Sequence, residues 1–270
     1  MSHIQSVNLT RFSHLAEVYE ANRPHPPRVI VDILTQLAEM SQPDLVVDLA
    51  SGTGLSTFIW TGRAQAVIGI EPNAAMRHMA ESHLDVTQTL RPIRFLAATA
   101  QETGLPDGCA DIITCAQALH WLEPITTFAE VARLLRPGGI FAAYDYMGDP
   151  VINWQVELVL QTFWQGIEAK KDSWWPVGLQ KWTKDEHLAR LQACGRFRYV
   201  RQMTLYQQEM TNTARFMGYI YSLSNVGALL EQGFSEAELG LDVLRTEVQE
   251  ILGERQVPWY FSYTMWLGVK

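Results

Sequence analysis

The chain has 270 residues, 47% of them hydrophobic, with 21 basic and 29 acidic residues and a net charge of −8. This length holds one large α/β domain or a domain with a sizeable insertion. The acidic balance argues against a nucleic-acid groove, which needs a basic stripe to neutralise phosphates, and no apolar run approaches the roughly 20 residues of a membrane span.

Met1 to Thr10 lacks the apolar core of a secretory leader. Cys109, Cys115 and Cys194 are odd in number and form no CxxC pair, so a cytoplasmic protein with reduced thiols is expected. Residues 13–22 read as a short helix, and Arg23-Pro24-His25-Pro26-Pro27 as a stiff linker. Pro27 opens a helix with Val29, Ile30, Ile33, Leu34 and Leu37 on one face. Strands are expected at 45–49, 66–70, 93–97, 111–115 and 140–144. Helices fall between them: one after Gly54, one from Pro72-Asn73 carrying Met76 and Met79, and one over 125–135. Arg136-Pro137-Gly138-Gly139 stops the last of these. Alternating strands and helices imply a parallel sheet with right-handed crossovers.

Beyond Asp149-Pro150 the character changes. Residues 151–225 are mostly helical and rich in aromatics, among them Trp154, Phe163, Trp164, Trp174, Trp175, Trp182, Phe216, Tyr219 and Tyr221. A strand over 197–206 interrupts them, a single helix follows over 233–253, and residues 260–269 suit a last strand. Arg190, Arg196, Arg198 and Arg201 are the densest basic patch and read as a solvated face.

The chemistry concentrates at Leu45-Val46-Val47-Asp48-Leu49-Ala50-Ser51-Gly52-Thr53-Gly54, a buried strand running into a tight Gly-x-Gly loop. Glycine there lets backbone approach a ligand. Ala66-Val67-Ile68-Gly69-Ile70-Glu71 ends in a carboxylate at roughly the 20-residue spacing from which an acid meets a ribose. Thr57 replaces the third glycine of a dinucleotide fingerprint, and the Gly-Lys-Ser/Thr of a phosphate loop is absent. S-adenosylmethionine, which carries no phosphate, remains.

The chain resembles the class I S-adenosylmethionine-dependent methyltransferases. The segment from Val47 to Gly54 is similar to that family's first motif, and Ile70-Glu71-Pro72 to its second. Ala98-Thr99-Ala100-Gln101-Glu102-Thr103-Gly104-Leu105-Pro106 resembles the segment bordering the adenine. The run from Asp111 to Trp121 resembles the fourth motif, and Leu134-Leu135-Arg136-Pro137-Gly138-Gly139 the loop before strand five. Tyr19-x-x-x-Arg23-Pro24, Gln117-Ala118-x-His120-Trp121 and a later helix over 216–224 resemble a small-molecule branch that includes trans-aconitate methyltransferase-like enzymes. Ala50 stands where the family has its first loop glycine, and Gln101 where an acid often meets the adenine amino group.

The resemblance implies a doubly wound, mostly parallel seven-stranded α/β sheet with an α-helical cap insertion. Residues 1–43 would form N-terminal helices of a cofactor lid, 44–149 the cofactor core, 150–232 an aromatic substrate cap with one core strand, and 233–270 a helix and strand completing the sheet. Around S-adenosylmethionine, Ala50, Gly52 and Gly54 would bring backbone to the methionine part. Asp48 would order the loop or reach the amino group through water. Glu71, beside Pro72, would accept from both ribose hydroxyls. Met76 would cover the adenine face or simply pack the core. Ala100 and Gln101 would border the adenine edge. Tyr19 and Arg23 would contact the cofactor carboxylate, and Gln117 and Trp121 would complete the site after strand four. His120 is the candidate catalytic base; an orienting, lid or core role is the alternative. No metal is expected. The acceptor is expected to be an oxygen, carboxylate or hydroxyl, of a small molecule. Methylation of tRNA or protein, or cofactor binding without turnover, are the alternatives.

Overall fold

The computed structural model describes residues 16–84, 92–170 and 180–270, which divide into two compact units. Residues 13–15, the start of the first expected helix, and Trp174 and Trp175 lie outside the described residues.

The larger unit comprises, among the described residues, 25–84, 92–147, 180–205 and 263–270. Its strands are β1 Leu45–Leu49, β2 Ala66–Ile70, β3 Ile93–Leu96, β4 Ala110–Ala116 and β5 Leu135–Tyr146, with β6 Tyr199–Thr211 and β7 Val257–Val269 each lying partly within it. The seven-stranded sheet has the order β3-β2-β1-β4-β5-β7-β6. β3, β2, β1, β4 and β5 pair in parallel, and β7 runs antiparallel to β5. Strand order reverses between β1 and β4, whose register joins Val46 to Ile112 and Asp48 to Thr114. The crevice beyond the carboxyl ends of two such strands is where open α/β sheets bind ligands.

Burial explains the strand composition. β1 is buried from Val46 onward and β4 from Ala110 through Cys115, as strands covered on both faces must be. Val47, Leu49, Ile68, Ile113 and Phe141 pack with Phe128, Val131 and Leu134 of the helix Pro124–Leu134. That helix starts at Pro124, with Glu123 accepting from the backbone N–H groups of Ile125 and Thr126. In chain order the helices of the described residues are α1 Ala16–Asn22, α2 Val29–Leu37, α3 Ala74–Ser82, α4 Pro124–Leu134, α5 Trp154–Glu168, α6 His187–Ala193, α7 Thr213–Ser222, α8 Ser224–Glu231, α9 Glu236–Leu239 and α10 Leu241–Leu252.

Three local expectations change. The segment after Gly54 forms only a short 3-10 turn, Thr57–Trp60. Its residues are β-branched or aromatic, which are weak helix formers, and Gly62 at φ +73° follows at once. The single helix over 233–253 is two, because Gly240 at φ +72° ends α9 and opens α10. Arg136-Pro137-Gly138-Gly139 lies inside β5, where pairing with β4 shifts register between Ala110 and Ile112.

The smaller unit comprises, among the described residues, 16–24, 148–170 and 206–262. Phe163, Phe216 and Tyr219 are buried there, and Trp259 packs edge-on to both Tyr219 and Phe261. α1 meets α7 at Gly218, where a Cβ would stand 2.0 Å from the Asn22 amide oxygen. Among the described residues, no helix is long and apolar enough to cross a membrane.

Candidate active site

Beyond β1 the chain turns through Ala50, at φ +52°, then Gly52 at +57° and Gly54 at +91°. Ala50 thus adopts the left-handed conformation its replaced glycine would take, at about 1–2 kcal/mol for an L-residue. The two glycines serve different ends. A Cβ on Gly52 would meet nothing within 4 Å, so this position opens to space a ligand can fill. A Cβ on Gly54 would stand 2.6 Å from the Phe58 ring, so Gly54 is required by packing. Gly69 of β2 is similar, with Phe95 at 2.4 Å and Ser51 Oγ at 2.8 Å from its virtual Cβ.

Asp48 is completely buried beneath this loop. Three hydroxyls donate to it: Thr57 at 2.7 Å, Thr114 at 2.6 Å and Ser56 at 3.2 Å. Ser56 also lies 2.5 Å from the Tyr144 hydroxyl. Burial pushes the Asp48 carboxyl up to about 6, against the opposing pull of the three hydroxyls. Asp48 therefore ties β1, β4 and the residues after the glycine loop into one buried network.

Glu71, at the end of β2, clamps the loop from the other side. Its Oε2 accepts the Gly52 N–H at 2.9 Å and its Oε1 the Asn73 N–H at 2.7 Å. Burial raises its carboxyl, opposed by those two N–H groups and by Arg77. Each oxygen retains acceptor capacity suited to a diol. Asn73 in turn caps α3 by accepting from Ala75 and Met76 N–H, which seats Met76 in the interior. Pro72 is the half-buried link between Glu71 and Asn73.

The residues here fit S-adenosylmethionine. Ser51 Oγ and Thr53 Oγ1 are buried in the loop with no hydrogen-bond partner among the described residues, which a polar ligand would relieve. The Gly52 position is open and Glu71 presents two oxygens. Ala100 is buried, and the Gln101 amide N donates to Thr127 Oγ1 at 3.1 Å, leaving its oxygen to accept.

Beyond β4 a second turn of the same kind holds different chemistry. Gln117 is at φ +55°, a sparsely populated region for a side-chain-bearing residue and a common mark of functional sites. With its amide oriented to satisfy its neighbours, it donates to Asp145 Oδ1 at 2.5 Å and accepts from Tyr146 N–H at 2.8 Å. His120 lies in the 3-10 turn Leu119–Trp121, buried, with its ring 4.9 Å from that of Trp121. Its Nδ1 donates to Asp145 Oδ2 at 3.0 Å. Burial pulls the His120 imidazole below its ordinary value, with Lys184 and Lys181 acting in the same sense and Asp145 opposing. Burial alone would raise the Asp145 carboxyl, but His120 and Lys184 outweigh it and hold it low. The dyad thus rests as a neutral imidazole beside a carboxylate, with Nε2 as the acceptor nitrogen.

The expected residues do not all fall in one unit. Asp48, Ala50, Gly52, Gly54, Glu71, Pro72, Met76, Ala100, Gln101, Gln117, His120 and Trp121 belong to the larger unit, whereas Tyr19 and Arg23 belong to the smaller. There the Arg23 guanidinium lies 4.7 Å from the Tyr19 ring centroid and donates to Ser222 O at 2.8 Å.

Sequence reasoning missed Asp145, Lys184 and His187. Asp145 had a signal, being a lone acid within the apolar run Ile140-Phe141-Ala142-Ala143-Tyr144-Asp145-Tyr146. Lys184 and His187 had none. Lys184 Nζ reaches Asp145 Oδ1 at 3.1 Å. His187 is buried edge-on against Trp266, and burial lowers its imidazole to about 4.

Comparison with known proteins agrees with the fold. Residues 47–143 match the family described as methyltransferase domain. An uncharacterized methyltransferase of Mycobacterium tuberculosis is 33% identical over 147 residues, covering 54% of this chain and 56% of that protein. The chain therefore matches little more than half the length of such relatives. A malonyl-[acyl-carrier protein] O-methyltransferase of Marinomonas is 23% identical over 227 residues, 82% of this chain and 76% of its own length. A protein of Anaeromyxobacter dehalogenans, described as a candidate type II methyltransferase, superposes with a TM-score of 0.68 at 22% identity, covering 92% of this chain and 97% of that one. Residues 47–143 thus form a methyltransferase domain, on the fold of the class I S-adenosylmethionine-dependent methyltransferases, and S-adenosylmethionine is the cofactor of that domain.

Proposed function

We propose that this protein is a cytoplasmic enzyme that transfers the S-adenosylmethionine methyl group to a hydroxyl oxygen of a small molecule. The observation that carries the reading is the His120–Asp145 pair, a neutral buried imidazole held by a carboxylate at the carboxyl end of β4. When bound, S-adenosylmethionine supplies an electrophilic methyl on a sulfonium. Glu71 would hold its ribose, the loop opening at Gly52 would admit its methionine part, and Met76, Ala100 and Gln101 would border its adenine. Gln117 and Trp121 would close the crevice beside His120. Asp48 acts from below, by fixing the loop.

His120 would take the acceptor proton at Nε2 while Asp145 fixes the tautomer through Nδ1–H. An acceptor that is already an anion, such as a carboxylate, needs no base, so the dyad favours a hydroxyl. Such a base contributes about 10²–10⁴-fold, beside the larger effect of alignment. The relative from Marinomonas is named as a malonyl-[acyl-carrier protein] O-methyltransferase; that agrees with oxygen as the accepting atom, and since the malonyl oxygen is a carboxylate's, the choice of a hydroxyl rests on the dyad.

Turnover of labelled S-adenosylmethionine across a panel of small alcohols, phenols, carboxylic acids and amines tests this. Labelled hydroxyl products whose formation falls as pH drops through the His120 titration support it. Methylation confined to carboxylic acids, or salt-sensitive binding and methylation of RNA, would contradict it.

A further inference from the structure

Asp145 is 1% exposed and carries a negative charge into the interior. Such a carboxylate demands compensation. Two groups of different kind supply it. His120 Nδ1 sits on Oδ2 at 3.0 Å, and Lys184 Nζ on Oδ1 at 3.1 Å. The Gln117 amide adds a neutral donor at Oδ1. With a fixed cation on one oxygen, the imidazole on the other need give only a neutral N–H. Without that cation, the nearest group able to become positive is His120 itself. The remaining neighbours point the same way. Lys181, 5.2 Å from the Trp121 ring centroid, opposes a charge on His120, and so does Lys184. His187 of α6, electrostatically coupled to His120, stays neutral above about pH 4. Asp145 is the anion among the groups that act most strongly on His120.

We propose that Lys184, by compensating Asp145, keeps His120 uncharged and able to receive a proton, making Lys184 a positioning residue for the transfer. The segment that delivers it is latched onto the turn after β4 and the end of β5. The Trp182 N–H donates to His120 O at 2.8 Å, and Lys184 Nζ also donates to Tyr146 O at 3.3 Å. This inference rests on His120 being the base and adds what keeps that base neutral. Removing Lys184 lets the His120–Asp145 pair bind a proton at higher pH, so the enzyme needs a higher pH to work.

The test is an NMR titration of the full chain with labelled imidazoles, His120 being assigned from His120→Gln. Lys184→Gln is expected to raise the His120 midpoint by about one pH unit or more, and Lys184→Arg to restore it. Lys184→Met, which keeps the packing of the stem, is the second charge-free variant and should behave as Lys184→Gln. In an Asp145→Asn background the His120 midpoint should lie below the parent's, because the anion that attracts the proton is gone. In turnover, the acid limb of kcat/KM should move up with the midpoint while the high-pH rate and the affinity for S-adenosylhomocysteine hold. A merely structural role would lower the rate at every pH. Midpoints in both charge-free variants that coincide with the parent's would overturn the proposal. A midpoint that rises while the rate profile stays put would instead remove His120 as base and leave the Lys184 coupling standing.

Discussion

After β1 the chain turns left-handed through Ala50, and after neighbouring β4 it turns left-handed through Gln117. The two turns flank the same switch point, yet they are built for different ends. The first is governed by backbone: glycines, unpartnered hydroxyls, and two carboxylates bonded to neutral donors, which burial pushes toward their protonated forms. The second is governed by charge: a carboxylate held ionised by the Lys184 cation and the His120 N–H, and an imidazole held neutral. An acid made more basic suits a group that orders a loop, whereas an anion kept ionised beside a neutral imidazole suits proton transfer.

Substitutions should separate the two sides. The largest effect is expected from His120→Gln, which should lower turnover by about 10²-fold or more while calorimetry shows unchanged S-adenosylhomocysteine affinity. A parallel loss of affinity would mean that the two turns do not divide the work. Asp48→Ala should act oppositely, through the fold. It strands three buried hydroxyls and should reduce unfolding free energy by about 3 kcal/mol in urea melts.

The buried acid and the buried histidine also predict opposite pH trends. The folded-state value of Asp48 is raised to about 6. Its stabilisation is full below its ordinary 3.8 and is lost as pH rises through about 6. The His187 value is lowered to about 4, so its contribution is present above 6.5 and is lost as pH falls toward about 4. Asp48→Asn should make stability fall more steeply on acidification over this window, and His187→Gln less steeply. Equal slopes in both variants would contradict the assignment of the two shifts. The smallest effect is Ala50→Gly. It relieves a left-handed alanine but loosens the unfolded chain, so a net gain of no more than about 1 kcal/mol is expected in thermal melts.

These contrasts also show what could be read from residues alone. β1, β2 and β4 were legible because strands buried on both faces must be continuously apolar, and the glycine loop because its backbone conformation is chemically restricted. The antiparallel setting of β7 was not, since strand direction leaves no trace in local periodicity. Gly54 and Gly69 illustrate a subtler limit. Both invite a cofactor explanation, but Phe58 and Phe95 show that neighbouring rings require them. Gly52 alone of the three opens to free space. His120 was visible as a histidine at a strand end. Its partners Asp145 and Lys184 were not, because they meet it only through the fold.

The division of labour is tested most directly by titrating S-adenosylhomocysteine into the wild type, Glu71→Ala and His120→Gln by calorimetry. Glu71→Ala removes a charged acceptor aimed at the ribose and should weaken binding by about 100-fold, with His120→Gln binding as the wild type does. Undiminished affinity in Glu71→Ala would contradict the placement of the cofactor at the β1–β2 side.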